Sequence, residues 1–417
     1  MNAIMVEKTR ALRGDVLIQG SKNAALPIMA ACLLIDGVCT LTNVPQILDV
    51  DCMCHLLKLC GCKVERWDHT LTIDTTGLHC CPFPTEEVLQ MRSSITLLGP
   101  LLSRCGRVEM SYPGGCVLGE RPIDYHKSLL EQMGVCFWDT TDGFGASCDR
   151  LQGTYLCMPF PSVGATETAI LAAVMAEGTT WLYGYAKEPE IKALCAFLRK
   201  AGANISEFGD TVLQIEGVNR LHPITWKIPS DRIVAGTYMC ALAAVGGKVR
   251  LQKAPEKELE ALLTKLSRMG VTISKDSLGL VLEHSGRLCG IPFLETGIYP
   301  GFPTDLQSTM LVVLTQCKGM SVVKEGIFSN RFHIVKYLKA LGACIEQEEN
   351  MAYVHGPTAF TGIPMKAEEL RGGAALVLAA LVAEGNSRIE NISYIKRGYE
   401  NLVSDLQGLG GRLWYAS

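Results

Sequence analysis

The sequence predicts an α/β protein made of two similar domains, each containing three copies of one βαβαββ unit. The chain has 417 residues, too many for one ordinary hydrophobic core. Hydrophobic residues make up 48% of it and charged residues 19%, which excludes a disordered chain. Helical segments that end in glycine recur along the whole chain, at intervals of 66–73 residues.

The repeated segments are of two kinds, and each kind occurs six times. One is apolar nearly all round, as in AALVLAALVAEG, which predicts an enclosed helix. The other is amphipathic, as in KELEALLTKLSRMG, which predicts a helix with one face in solvent. A β-rich stretch follows each, and the glycine between them suits a left-handed helix cap. The glycines are Gly37, Gly106, Gly178, Gly247, Gly319 and Gly385 in the first series, and Gly61, Gly134, Gly202, Gly270, Gly342 and Gly410 in the second. With three units per domain, the chain should pass from the first domain to the second near residues 229–231, between the third and fourth units.

Charge and hydropathy exclude several classes of partner. The net charge of -3 gives no basic field, so we expect no nucleic-acid partner. The N-terminal residues lack the apolar core of a signal peptide, and the longest apolar stretches are too short to cross a bilayer. We therefore expect a cytoplasmic protein with no membrane association.

The 18 cysteines raise the alternatives of a disulfide scaffold and a metal site. Disulfide scaffolds are much shorter, exported chains, and most cysteines here lie in apolar runs, where Cys behaves as a small hydrophobe. A cluster of Cys and His near residues 52–62 and 79–81 lacks the paired C-x-x-C spacing of a zinc ribbon. We expect no metal.

Cations stand where the predicted helices begin. Capping explains Ser21, Ser162, Ser230 and Thr304 at these starts, but a cation there opposes the helix dipole unless an anion binds between the cation and the free N–H groups. An isolated arginine is most simply a solvated surface residue, whereas a set at equivalent repeat positions favours a polyanionic substrate. The set is Lys22, Arg92, Arg232 and Arg371 on the apolar helices, with Arg121, Arg331 and Arg397 near the starts of the second helices.

The segment SYPGGCVLGERPID places Cys116 in a glycine-rich loop rather than in an apolar run. Arg121 follows five residues later, and a nearby cation lowers a thiol pKa and raises its reactivity. An inert loop cysteine is the alternative.

Seven segments spread along the chain carry a family resemblance: GSKNAALP, PGGCVLGERPID, PSVGAT, FPTDLQS, NRF, LRGGAALVLAAL and RGYE. Together they resemble the UDP-N-acetylglucosamine 1-carboxyvinyltransferases, a branch of the enolpyruvyl transferase family, over essentially the whole chain. The related shikimate-pathway enolpyruvyl transferase shares the fold but lacks the Pro-Gly-Gly-Cys loop.

The resemblance implies two inside-out α/β domains whose N-terminal strand returns to the second half. The first domain would span residues 22–229, the second residues 1–21 with 230–417, and the active site would lie in the cleft between them. The implied partners are the small-molecule substrates phosphoenolpyruvate and UDP-N-acetylglucosamine. The resemblance implies no organic cofactor and no metal, and we expect the protein to be a monomer.

The implied reaction is an addition and elimination that transfers the enolpyruvyl group to the sugar 3′-hydroxyl, the first committed step of peptidoglycan synthesis. Cys116 matches the proton donor that also forms an adduct with phosphoenolpyruvate, and Asp305 matches the candidate base. The phosphoenolpyruvate side would use Lys22, Asn23, Arg121, Arg331, Arg371 and Arg397. The UDP-sugar side would use Asn23, Arg92, Arg121, Pro122, Ile123, Asp124, Tyr125, Ser162, Val163, Gly164, Asp305 and Ile327.

The chain departs from the family pattern at four positions on the acceptor side. Gln46 and Leu48 stand where lysines are common, Phe160 where a basic residue is common, and Val234 where many members carry an acid. Losing a lysine beside a diphosphate would cost about 1–3 kcal/mol, although Phe160 could instead stack on a base or ribose. Two alternatives therefore stay open: an enolpyruvyl transferase with another nucleotide-sugar or nucleoside acceptor, and a catalytically idle relative.

Overall fold

The computed structural model describes residues 3–80, 83, 85–114 and 123–416. Contacts divide these residues into two compact units. We call residues 20–114 with 123–229 the first domain, and residues 3–19 with 230–416 the second domain; this division falls two residues from the boundary expected at residues 21 and 22. Each domain has its own hydrophobic core. None of the described helices combines the length and apolar character that crossing a membrane requires.

Each domain contains three small sheets. Five of the six share one four-stranded topology, and the sheet that contains Arg107–Ser111 has, within the described residues, only the three antiparallel strands of it. The first two strands of a unit pair in parallel, and the fourth strand lies antiparallel between the second and the third. The three sheets of the first domain, in spatial order, are Thr225–Lys227, Val38–Thr42, Thr70–Asp74 and Lys63–Trp67; Arg107–Ser111, Gly143–Ser147 and Cys136–Thr140; and Tyr155–Cys157, Thr179–Tyr183, Val212–Glu216 and Asn204–Phe208. Those of the second domain are Leu12–Leu17, Gly247–Gln252, Gly279–His284 and Thr272–Lys275; Phe293–Glu295, Gly319–Lys324, Met351–Gly356 and Cys344–Glu348; and Pro364–Lys366, Asn386–Glu390, Ala3–Glu7 and Arg412–Ala416.

The helices separate into an inner and an outer set, as the two sequence patterns predict. In the second domain the three apolar helices pack against one another. The inner helices are Lys22–Ala31, Leu98–Cys105, Val163–Ala173, Arg232–Val245, Gln307–Thr315 and Leu370–Val382. The outer helices are Leu48–Leu59, Asp124–Gln132, Pro189–Lys200, Glu260–Met269, Val335–Leu341 and Leu402–Gly408, with short helices at Thr85–Leu89 and Ser393–Lys396. Short 3-10 segments cover Cys32–Leu34, Arg92–Leu97, Glu256–Leu259 and Thr304–Leu306. Helices inside and sheets outside confirm the predicted inside-out α/β class.

All twelve repeat glycines have positive φ, from 70° at Gly106 to 140° at Gly37. Gly106, Gly270 and Gly342 directly follow their helices in the left-handed conformation. L residues with a Cβ rarely adopt this conformation. The prediction of glycine caps is therefore confirmed for the second series and for Gly106. It is wrong for the other five apolar helices, which end before their repeat glycine, and Gly247 and Gly319 instead open the strands that follow.

The units are not contiguous in sequence, although the repeats are. The first unit takes its first strand, Thr225–Lys227, from the far end of the first domain. The fourth unit takes its first strand, Leu12–Leu17, from near the N-terminus. The sixth unit places Ala3–Glu7 between its two C-terminal strands. The N-terminal segment thus closes two sheets of the second domain.

Candidate active site

Asp305 lies between two buried arginines in the second domain. Its Oδ1 accepts a hydrogen bond from Nη2 of Arg331 at 3.1 Å, and its Oδ2 accepts one from Nη2 of Arg371 at 3.3 Å. The arginine side chains are 1% and 4% exposed, whereas the carboxylate side chain is 27% exposed. Three residues predicted for the site, far apart in sequence, are thus brought together with the acid on the accessible side.

Arg371 is held charged in this cluster. Burial lowers the pKa of a guanidinium, but the facing charge of Asp305, with Tyr399 and Asp231, raises the pKa of Arg371 above its usual value. Its guanidinium also lies 5.5 Å from the centre of the Tyr399 ring. The Tyr399 hydroxyl shares a hydrogen bond with Oγ1 of Thr237 at 2.8 Å. A fixed positive charge of this kind favours binding of an anion.

Glu325 is a buried carboxylate that sequence reasoning missed. It is 2% exposed, and both of its carboxylate oxygens accept from the Thr304 hydroxyl at 3.1 Å. Its Oε1 also accepts from the backbone N–H of Ile327 at 2.9 Å and of Phe328 at 3.2 Å. Glu325 therefore ties the residue before Asp305 to the turn that carries Ile327, a predicted acceptor contact.

The same turn supports Arg331. Its guanidinium lies 5.7 Å from the centre of the Phe328 ring, within the range of a cation–π contact. Glu325 thus restrains both partners of the Arg331–Asp305 pair, one through Thr304 and the other through Phe328. The signal available in the sequence was an acid two residues before Ile327.

Arg397 follows the short helix Ser393–Lys396 and is half-buried. It belongs to the second domain, as Asp305 does. The loop after it, residues 398–400, includes the buried Tyr399 that contacts Arg371. The RGYE segment thus joins two of the predicted cations through one buried ring.

Lys22 begins the first helix of the first domain. Ser21 caps this helix by accepting from Ala24 N–H at 3.3 Å. The Lys22 ammonium donates to Oδ2 of Asp49 at 2.6 Å, and the two side chains are only 12% and 4% exposed. Asp49 was missed by sequence reasoning, although its neighbours Gln46 and Leu48 had been singled out. The pair fixes one cation at a helix start, where the free N–H groups also favour anions.

Two other predicted residues lie at helix starts of the same domain. Asn23 is the second residue of the helix Lys22–Ala31, and Arg92 opens the 3-10 turn Arg92–Leu97. Both side chains are half-buried. At these positions a bound anion would receive hydrogen bonds from backbone N–H groups as well as from the side chains.

Two predicted acceptor segments meet in the first domain. Ser162 caps the helix Val163–Ala173, accepting from Ala165 N–H at 3.4 Å. A Cβ on Gly164 would lie 3.2 Å from the ring of His126, which belongs to the helix that begins at Asp124. His126 is buried, and its Nδ1 lies 2.9 Å from the Thr168 hydroxyl. His126 was missed by sequence reasoning, and it joins the two segments.

At these two helix starts, Ile123 is buried while Asp124 and Tyr125 are exposed. Ser162, Val163 and Gly164 are half-buried. Polar and aromatic surface is therefore available beside a helix N-terminus.

A buried acid follows one turn later. Glu167 is 8% exposed, and burial, together with the nearby charges of Glu190 and Glu188, raises its pKa to about 8. Because desolvation disfavours the charged form, Glu167 is largely protonated at neutral pH.

Two of the predicted helix caps are wrong. The cap of Arg232–Val245 is Asp231, not Ser230, and its Oδ1 accepts from Ile233 and Val234 N–H at 2.8 and 2.9 Å. A carboxylate can satisfy two first-turn donors at once. Thr304 opens its 3-10 turn, but its hydroxyl is engaged by Glu325 instead. Glu369, unremarked in the sequence, caps Leu370–Val382 by accepting from Arg371 and Gly372 N–H.

The four departures from the family pattern differ in their surroundings. Leu48 and Phe160 are 43% and 39% exposed, so each presents apolar surface. Gln46 donates to Oδ1 of Asp68 at 3.0 Å. Val234 is 1% exposed and lies in the core of the second domain, so its effect is on packing and not on an acceptor surface.

Cys116, Arg121 and Pro122 lie outside the described residues. Within the described part of the chain, no group of three or more His, Cys, Asp and Glu is arranged to hold a metal ion. Cys60 and Cys62, from the cluster weighed as a metal site, belong to the core of the first domain.

A cavity of about 620 Å³ lies elsewhere in the second domain. Arg232 lines it, with its guanidinium 5.8 Å from the centre of the Tyr299 ring. The cavity reaches Pro303 but is not lined by Asp305, Arg331 or Arg371. Arg232 therefore faces a different space from the other predicted cations of this domain.

Comparison with known proteins gives close sequence matches over the whole chain. The family model for EPSP synthase (3-phosphoshikimate 1-carboxyvinyltransferase) matches residues 6–406. The UDP-N-acetylglucosamine 1-carboxyvinyltransferase of Desulfatibacillum aliphaticivorans is 40% identical over 410 residues, 98% of each chain. UDP-N-acetylglucosamine 1-carboxyvinyltransferase 2 of Carboxydothermus hydrogenoformans is 41% identical over 416 residues, 99% of each chain.

Solved structures match the fold at lower identity. The enolpyruvyl transferase NikO from Streptomyces tendae superposes with a TM-score of 0.89 at 24% identity, covering 99% of this chain and 98% of that one. EPSP synthase from Acinetobacter baumannii gives a TM-score of 0.77 at 18% identity, covering 100% of both chains. At these identities the likeness is one of fold.

Proposed function

We propose, because this chain belongs to the enolpyruvyl transferase family, that it transfers the enolpyruvyl group of phosphoenolpyruvate to the 3′-hydroxyl of UDP-N-acetylglucosamine and releases phosphate. The acceptor is taken from relatives that carry that name at 40% and 41% identity over nearly their full lengths. The reaction would be the first committed step of peptidoglycan synthesis, supporting cell shape and division.

One observation carries the proposal: Asp305 stands between two buried arginines that retain donor capacity. Among the buried side-chain atoms of the described residues, Nε of Arg331 and Nη1 of Arg371 have no hydrogen-bond partner. Buried donors without partners are costly and rare. An anionic group of the substrate would satisfy them and place a carboxylate base beside the reacting centre.

In the addition step, the acceptor oxygen forms a bond to C2 of phosphoenolpyruvate. Asp305 accepts the hydroxyl proton, and C3 receives a proton from the thiol of Cys116. The product is a tetrahedral ketal that still carries the phosphate. Lys22, Arg331, Arg371 and Arg397, with Arg121, would balance the phosphate and carboxylate charge in this step.

In the elimination step, the C2–O bond to phosphate breaks while C3 returns a proton to the Cys116 thiolate, which restores the C2=C3 double bond. The departing phosphate takes up the proton that Asp305 received. The products are the enolpyruvyl sugar nucleotide and inorganic phosphate. The Cys116 thiol can also add across the C2=C3 bond of phosphoenolpyruvate, with its sulfur bonded to C2 and its proton to C3, giving a thioether adduct. No metal or organic cofactor is needed for either step.

On the acceptor side, we propose that Asn23, Arg92, Arg121–Tyr125, Ser162–Gly164 and Ile327 bind the sugar nucleotide. The exposed Tyr125 and Phe160 offer rings for a base or ribose. His126 would hold the two helix starts together, because its ring lies against Gly164 and Thr168.

We further propose that residues 22–229 and residues 1–21 with 230–417 act as two domains serving one active site. The protein would work as a cytoplasmic monomer. Gel filtration with light scattering tests the monomer directly, and a dimer mass would contradict it.

The decisive experiment mixes the purified protein with phosphoenolpyruvate and UDP-N-acetylglucosamine and follows phosphate release and product mass. Phosphate release that requires the acceptor, with a product heavier by one enolpyruvyl group, supports the proposal. Turnover with another nucleotide sugar only would assign a different acceptor. An absence of both turnover and a thiol adduct with phosphoenolpyruvate would identify an idle relative and refute the enzymatic proposal.

A pair of arginine variants makes the assay specific. Arg371→Met removes a buried cation next to Asp305. Arg250→Met removes an arginine of the same domain that pairs with Asp15 and Asp276 at the surface. We expect turnover to fall at least 100-fold in the first and to stay near wild type in the second. Equal losses would show that the Asp305 cluster has no special part in the reaction.

A different acceptor is the second candidate, favoured by the exposed apolar side chains of Leu48 and Phe160. An acceptor panel that varies the base and the sugar separately would identify it. Retention of Lys22, Cys116, Asp305 and Arg397 argues against the idle relative.

A further inference from the structure

We propose that Gln19 is a positioning residue for Arg397, the predicted phosphoenolpyruvate ligand, and so sets the affinity for that substrate. This inference rests on the proposed function. Gln19 belongs to none of the motifs that carry the family resemblance, and it lies 378 positions before Arg397 in the sequence.

The evidence is a two-point clamp made by one carboxamide. Nε2 of Gln19 donates to the backbone oxygen of Gly398 at 3.1 Å. Oε1 of the same side chain accepts from the backbone N–H of Glu400 at 2.9 Å. A planar amide that satisfies a donor and an acceptor of one loop fixes both the position and the orientation of that loop.

The clamp completes the fixation of the loop that follows Arg397. A Cβ on Gly398 would lie 2.8 Å from the side chain of Leu370, so the loop is in close contact with the start of the Arg371 helix. The Tyr399 hydroxyl is bonded to Thr237. The contact with Leu370 and the hydrogen bond of Tyr399 restrain the loop on the side of the buried helices, and Gln19 restrains its backbone.

The backbone of Gln19 is itself fixed. Its carbonyl oxygen accepts from the N–H of Asp231 at 2.9 Å, and Asp231 caps the helix Arg232–Val245. The segment that carries the clamp is therefore tied to a buried helix of the second domain. Because this element is rigid, the hydrogen bonds from Gln19 restrict the motion of the residue that they position.

The expected consequence is selective. Loss of the clamp frees the backbone beside Arg397, so the guanidinium spends less time where it meets the substrate anion. Removing two hydrogen bonds of ordinary strength corresponds to an affinity loss of about tenfold. The acceptor sugar would be little affected, because none of the predicted acceptor residues touches Gln19 through a described contact.

The test uses Gln19→Met, which keeps the length of the side chain and removes both hydrogen bonds. We expect KM for phosphoenolpyruvate to rise about tenfold, with KM for the acceptor unchanged. Gln407→Met is the matched control, since Nε2 of Gln407 also donates to a backbone oxygen of the same domain, that of Leu413 at 2.6 Å. An unchanged KM for phosphoenolpyruvate in Gln19→Met, or an equal rise in the control, would overturn the inference.

A second measurement does not depend on activity. Amide hydrogen exchange of Glu400 should accelerate in Gln19→Met and recover in Gln19→Glu, which keeps the oxygen that accepts from this N–H. Unchanged exchange in Gln19→Met would mean that the clamp does not hold the loop.

Failure of the proposed function can be told apart from failure of this inference. Should the wild-type protein show no turnover, calorimetric titration of phosphoenolpyruvate decides the point. Tenfold weaker binding by Gln19→Met supports the positioning role, while equal binding by both proteins, or none by the wild type, overturns it.

Discussion

Asp305→Asn removes the negative charge between two buried guanidinium groups while keeping the shape of the side chain. The Arg331 and Arg371 side chains are 1% and 4% exposed, so neither can recover its solvation without local opening. Breaking a buried pair costs about 3–5 kcal/mol. Asp305 is 27% exposed and Arg371 also faces Asp231. We therefore expect the free energy of unfolding to fall by the lower end of this range, about 3 kcal/mol.

Hydrogen exchange followed by mass spectrometry measures this loss domain by domain. A loss of about 3 kcal/mol lowers the protection of the helices Gln307–Thr315 and Leu370–Val382 by roughly 150-fold. The helix Val163–Ala173, in the first domain, serves as the internal control and should keep its protection. Asp276→Asn is the matched variant, because Asp276 pairs with Arg250 at the surface, and it should leave all three helices unchanged.

The same variant tests the role of Asp305 as base. Loss of a positioned general base lowers turnover by about 10²–10⁴-fold. Unchanged protection in Asp305→Asn would refute the claim that this carboxylate compensates the two arginines. Unchanged kcat would refute its part in proton transfer, whatever the exchange data show.

Four further predictions address other parts of the molecule. Glu325→Gln should lower kcat about tenfold with little change in either KM, because it weakens the hydrogen bonds that tie Thr304 to the turn of Ile327. Steady-state kinetics measures this, and equal losses in kcat and in acceptor affinity would argue against it. The epoxide fosfomycin should inactivate the enzyme by alkylating Cys116, as seen by intact mass, while Cys116→Ser stays unlabelled; activity that survives saturating epoxide contradicts the role of this thiol. The free energy of unfolding of the first domain should fall as the pH rises from about 4.5 to about 8, since only the unfolded chain ionises Glu167 in that window. In calorimetry Glu167→Gln should gain on the order of 5 kcal/mol over wild type near pH 8.5 and nothing near pH 4.5. A parallel pH dependence of both proteins would contradict this prediction. Phe160→Lys should lower KM for UDP-N-acetylglucosamine at low salt by about tenfold if a diphosphate lies nearby, whereas a higher KM would indicate that the ring stacks on the nucleotide.

The candidate site was predictable in its residue types and only partly in its geometry. Lys22, Arg331 and Arg371 stand out in sequence because a cation near a helix start opposes the helix dipole, whereas Asp305 is identified only through the family resemblance. Their actual partners do not stand out. Asp49 and Glu325 are single acids in ordinary surroundings, and only folding shows that each is buried against one of the predicted segments.

The sequence by itself determined the repeat, the helix and strand types and the glycine caps of the amphipathic helices, because each depends on residues close together along the chain. Helical periodicity and the left-handed glycine are local properties. This is why all twelve repeat glycines have positive φ, although five of them lie beyond the ends of the apolar helices they were expected to cap. The same local rules failed at Ser230, because the neighbouring Asp231 accepts from the first-turn N–H groups, and at Thr304, because its hydroxyl donates to the distant Glu325.

Only the tertiary structure decided which distant segments complete each sheet and each ion pair. Ala3–Glu7 lies between two strands of the C-terminal unit, Asp305 meets arginines 26 and 66 residues away, and Gln19 bonds a backbone oxygen 379 residues away. These contacts depend on the path of the chain through two cores, which no local pattern encodes. The physical reason is that burial selects partners by position in space, whereas periodicity records only position along the chain.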